Sequence, residues 1–78
     1  MEDAEQFKDT FIFVGKTIRQ NREEQSMSVH ELANGLGISK ARLESIEDGK
    51  DLDITISELI SISEKLNVHL KEILVDSL

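Results

Sequence analysis

The chain has 78 residues, nine Lys and Arg against sixteen Asp and Glu for a formal charge of −7, and no Cys. That length holds one domain, which buries only roughly 60 to 65% of its unfolded surface, and the missing thiols exclude both a disulfide framework and a thiolate metal site. No apolar run approaches the roughly 18 residues that span a bilayer, and the acidic start MEDAEQ has the wrong sign for a secretory leader, so a soluble cytoplasmic protein with no membrane contact is expected.

Phe7, Phe11, Val14 and Ile18 recur at helical spacing, which predicts a first helix beginning between Asp3 and Thr10 and running to about Glu24. Within it FIFV also fits a short strand, the less favoured alternative. Ile12 and Phe13 lie off the main stripe. Ser28 with Glu31 has the capping-box pattern, and Met27 with Leu32 the hydrophobic staple, so a second helix starts there. Gly37 falls where a tight turn needs positive φ. Ser39, flanked by Ile38 and Leu43, repeats the cap for a third helix, whose Leu43 and Ile46 point inward while Lys40, Ala41, Glu44, Ser45 and Asp48 are left largely outward.

Helices 2 and 3 thus form a helix-turn-helix over residues 29–48, with the small Ala33 at their crossing. Gly49 reads as the glycine cap closing helix 3, and residues 50–54 form a loop. Thr55 with Glu58, between Ile54 and Leu59, starts helix 4, to which Ile56, Leu59, Ile60, Ile62 and Leu66 give a broad apolar face. A last helix starts near His69 and carries Leu70, Ile73 and Leu74. The expected fold is therefore all-α with five helices.

From Val14 to Leu74 the segments VGKTIRQNREE, SVHELANGLGISKARLESIEDGK and ELISISEKLNVHLKEIL resemble, in order, spacing and residue type, the phage-repressor and Cro type of helix-turn-helix regulators. These are also called the xenobiotic response element family. The resemblance implies a repressor-like domain over residues 14–78, with residues 1–13 as an acidic extension of helix 1. It further implies a homodimer on duplex DNA, with the helix that begins near Ser39 in the major groove. Two such helices about 34 Å apart read a palindromic operator. Three features depart from the family: helix 1 starts early, the loop after Gly49 is about one residue longer and lacks the usual proline, and Val29 replaces the Gln that commonly bonds a phosphate.

The same resemblance assigns base reading to Lys40, Ala41, Ser45 and Glu44. Their chemistry suits guanine O6 and N7, the thymine methyl, several base edges, and cytosine N4 respectively. Phosphate contact falls to Ser39, Arg42 and Lys50. Structural roles fall to Ala33, Gly37 and an ion pair of Arg22 with Glu47. Without the resemblance, each of these is a solvated or packed residue.

Charge is unevenly spread. Residues 1–13 carry −3, residues 51–78 carry −4, and residues 14–50 balance six bases with six acids, so the DNA-facing part is neutral. The rival expectation is a protein-interaction or antirepressor module that keeps the fold, uses the acidic flanks, and binds DNA weakly or not at all. His30 and His69 lack metal-ligand spacing, and no nucleophile elbow, phosphate loop or carboxylate pair occurs. No cofactor, metal or enzymatic activity is expected. Self-association is expected through Ile12, Phe13, Val75 and Leu78.

Overall fold

The computed structural model of the chain describes the backbone of residues 4–74 and the side chains of residues 9–74. Five helices follow one another: α1 (Ala4–Glu24), α2 (Val29–Leu36), α3 (Lys40–Glu47), α4 (Ile56–Leu66) and α5 (Leu70–Leu74). There is no strand among the described residues. FIFV lies inside α1, because its apolar residues continue a 3.6-residue stripe in which Val14 and Ile18 are buried and Phe11 is half-buried. Phe7, Val75 and Leu78 lie outside the side chains described.

Side chains write the helix starts. Ser28 Oγ accepts from Glu31 N at 3.0 Å while Glu31 Oε1 accepts from Ser28 N at 2.8 Å. Thr55 and Glu58 make the same reciprocal pair at 3.1 and 2.9 Å, and Ser39 Oγ accepts from Arg42 N at 3.0 Å. Each pair satisfies amide groups that a helix start leaves without a partner. α2 ends at Gly37, whose φ of 74° lies in the left-handed region. α4 ends at Asn67, with φ 58°, and Gln25 Nε2 donates to the Leu66 carbonyl at 2.6 Å. The asparagine stop carries the weaker sequence signal of the two.

The core draws on every helix: Val14 and Ile18 from α1, Leu32 and Ala33 from α2, Leu43 and Ile46 from α3, Leu59, Ile62 and Leu66 from α4, and Ile73 from α5. α1 is the hub and packs on α3, α4 and α5. Its approach to α3 is close. A Cβ on Gly15 would stand 2.3 Å from the Ile46 carbonyl oxygen, and one on Gly49 would stand 2.7 Å from Ile12 Cα.

Two expectations need correction, and one holds. The apolar face of α4 is narrower than its sequence suggests, since Leu59, Ile62 and Leu66 fill the inner stripe and leave Ile56 60% and Ile60 40% exposed. Phe13 does not point away from the domain but packs on the core, while Ile12 remains 48% exposed beside Gly49. Gly49 closes α3 as its sequence suggests, in the left-handed region with φ 74° one residue past Asp48, and Lys50 N caps the Ser45 carbonyl at 2.9 Å.

Candidate nucleic-acid interface

The Ser39 cap fixes where α3 begins and so which side chains face outward. Lys40, Ala41, Glu44 and Asp48 are exposed, Ser45 is half-buried, and Leu43, Ile46 and Glu47 are buried against the domain. The Ser45 carbonyl accepts from Lys50 N at 2.9 Å and Asp51 N at 3.3 Å, which turns the chain away after the helix. α3 therefore offers solvent a short convex face, begun by Lys40 and Ala41.

The underside of α3 is bolted to α1 by charge. Arg22 Nε and Nη2 donate to Glu47 Oε2 and Oε1 at 2.7 and 3.0 Å, and the Glu47 side chain is only 1% exposed. A third Arg22 donor reaches the Met27 carbonyl at 2.8 Å. Such a pair depends on near-complete hydrogen bonding, because each ion has lost its water. Arg19 adds a second layer, bonding Glu47 at 3.3 Å and the Asp48 carboxylate. The hydrogen bond to Glu47 holds the Arg22 guanidinium above its usual range, and the bonds first to Asp48 and then to Glu47 do so for Arg19.

Arg42 is engaged likewise. Its Nη1 and Nη2 donate to the two oxygens of Glu58, the latter at 3.0 Å, and its Nε donates to Asp51 Oδ2 at 2.8 Å. Glu58 is held down to about 2, by Arg42 first and by the Thr55 backbone amide second. Lys40 and Lys50 are exposed and make no ion pair with the described residues. Ala33 is buried on α2, and Ser39 is exposed with its hydroxyl on the cap.

Lys40, Ala41 and Glu44 thus share one exposed helical face, with Ser45 at its edge, whereas Arg42 faces α4. Sequence reasoning missed Arg19, Asp51 and Gly15. Arg19 sits three residues before Arg22, a spacing that places both on one side of α1 and was the available signal. Nothing local marks Asp51 or Gly15, whose partners are far along the chain. Among the described residues no group of His, Asp or Glu is placed to hold a metal, and no helix is long and apolar enough to cross a membrane.

Comparison with solved structures places this arrangement. SinR, the master regulator for biofilm formation, solved in complex with DNA, is 34% identical, and the match covers 80% of this chain and 98% of that one with a TM-score of 0.73. The restriction-modification controller protein C.AhdI from Aeromonas hydrophila (17% identity, 81% and 94% covered, TM-score 0.75) shares the fold. So does the hypothetical transcription factor NHTF from Neisseria (20% identity, 88% and 78% covered, TM-score 0.80). No curated protein matches in sequence. The helix-turn-helix family profile covers residues 18–73, from the middle of α1 into α5, and the chain belongs to that family, in its Cro/C1-type branch.

Proposed function

We propose that this chain binds duplex DNA with α3 in the major groove and regulates transcription, as a repressor, by occupying an operator. One observation carries the reading. α3, which packs on α1 and α2, exposes Lys40, Ala41 and Glu44 on one face, which is how a recognition helix meets base edges. The 34% identity to SinR, solved with DNA, supports it. Lys40 donates to guanine, the Ala41 methyl meets a thymine methyl, and Glu44 accepts from cytosine N4, with Ser45 at the edge of the footprint. Ser39 and Lys50 meet phosphates.

A homodimer on a palindromic site completes this reading, because a single domain with so few free cations makes few phosphate contacts. Leu52, Ile56 and Ile60, all at least 40% exposed, are better placed to cover one another between copies than Phe13, which the core already holds. A second reading is favoured by the same electrostatics. Arg19 and Arg42 are neutralised by carboxylates, so a protein-interaction module with weak DNA affinity fits the charge equally well.

Selection of duplexes from a random library, followed by fluorescence anisotropy across a salt series, separates the two. A regulator enriches a two-fold symmetric sequence and loses affinity steeply with salt. A protein-interaction module enriches no sequence and binds all duplexes alike, weakly or not at all, even at low salt.

A further inference from the structure

α3 is held unevenly. It packs on α1 and α2 but has at most marginal packing with α4, and an open groove of about 170 Å³ separates the helix-turn-helix from α4, lined by Leu36 of α2, Ile38 of the turn and Ile46 of α3 on one side and Ser57, Ser61 and Ile62 on the other. Glu58 stands on the wall of that groove and accepts from Arg42 of α3. Both are the third residue of their helices. Arg42 N is bonded to the Ser39 cap, and Glu58 N to the Thr55 cap. The bridge therefore joins the first turn of α3 to the first turn of α4. Asp51 extends it to the connecting loop, since its Oδ2 accepts from Arg42 and its Oδ1 accepts from Asp53 N at 2.9 Å.

We infer that Arg42 is a positioning residue, which sets the orientation of α3 by tying its N-terminal turn to the cap of α4 where the two helices barely pack, and is not a phosphate contact. Three of the five guanidinium N–H groups are committed to carboxylates. One positive charge then faces two negative ones, so an approaching phosphate meets a cluster of net charge −1. A base-reading helix tolerates little misplacement, and the residues that orient it act on specificity. A phosphate contact acts on all sequences alike.

The inference rests on the DNA-binding reading, and the test has an arm that does not. In the first arm, 15N-labelled protein without DNA is compared with its Arg42→Ala and Glu58→Gln variants by residual dipolar couplings. Gln keeps the capping box through its amide oxygen, and it removes the charge and one of the two oxygens that accept from Arg42. Both variants are expected to reorient the amides of residues 39–43 relative to those of residues 56–62, with α1 and α2 unchanged. Changes confined to the substituted residue would overturn the inference, whether or not the chain binds DNA.

In the second arm, binding to the selected duplex and to random duplex is measured against salt. Arg42→Ala is expected to reduce the ratio of specific to random affinity by about tenfold or more, the scale of one base contact, and to leave the salt slope unchanged. Glu58→Gln should lower the same ratio. A slope that falls by roughly 0.9, with both duplexes weakened equally, is the signature of a lost phosphate contact and would overturn it. So would a Glu58→Gln variant whose specific-to-random ratio rises, because that result means a freed Arg42 binds better. Failure of wild-type protein to bind any duplex sinks the DNA reading alone.

Discussion

The two sides of α3 are built on different principles. Against α1 it is packed to the limit: Gly15 admits the Ile46 and Glu47 carbonyls, and the Arg22–Glu47 pair is sealed inside. Toward α4 there is a groove and the bridge of Arg42 and Glu58, side chains about one-third exposed. A buried pair is costly to break because the surviving charge has no water, whereas a bridge in contact with solvent is screened and worth little to overall stability. Stability therefore resides at the α1 junction, and adjustable orientation at the α4 junction.

The sharpest break in that comparison is Glu47→Ala. It strands the buried Arg22 guanidinium, and we expect a loss of about 3 to 5 kcal/mol in urea unfolding, enough to unfold much of a small domain at 37 °C. Glu58→Ala removes the exposed counterpart, and with it the second half of a capping box. It should cost clearly less.

Two glycines probe the packing. Gly15→Ala should destabilise by about 1 to 3 kcal/mol, because the new methyl meets carbonyl oxygens that cannot move away. Gly35→Ala, in α2, meets only the flexible Lys65 side chain at 3.7 Å, and should stabilise by about 0.5 to 1 kcal/mol through backbone entropy. Opposite signs from one chemical change are the test, read from urea midpoints. Gly37→Val should cost less than Gly15→Ala, since no atom crowds the position and only the left-handed φ opposes it. About 1 to 2 kcal/mol is expected.

The smallest effect is on pH. Arg42 and Thr55 depress Glu58 from 4.5 to about 2, so its contribution is complete above the unfolded value near 4.5 and fades as the pH falls toward 2. Carboxyl 13C shifts followed from pH 6 downward should leave Glu58 still largely ionised at pH 3, and a midpoint near 4.5 would mean that the bridge does not form in solution.

Much of this was legible in the residues. The three caps at Ser28, Ser39 and Thr55 act over three positions, and α1, α2 and α3 follow from local spacing and turn chemistry. What escaped was long-range. That Ile56 and Ile60 face outward depends on how α4 is rolled against α1 and α2, which its apolar count does not specify. The carboxylate partners of Arg42 could not be read locally, because only folding brings Asp51 and Glu58 to it. Gly15, inside an ordinary helical stretch, shows its purpose only when α3 lies across it.

The most direct test of the central claim, that the exposed face of α3 reads DNA, is a titration of 15N-labelled protein with the selected duplex, followed by amide shifts. The account predicts that the largest changes fall on residues 39–45 and at Lys50, with α5 unmoved, and that Lys40→Ala weakens binding by about 1 to 3 kcal/mol and relaxes the preference at one base pair. Shifts centred on residues 52–60 with α3 silent, or an unchanged affinity in Lys40→Ala, would contradict it.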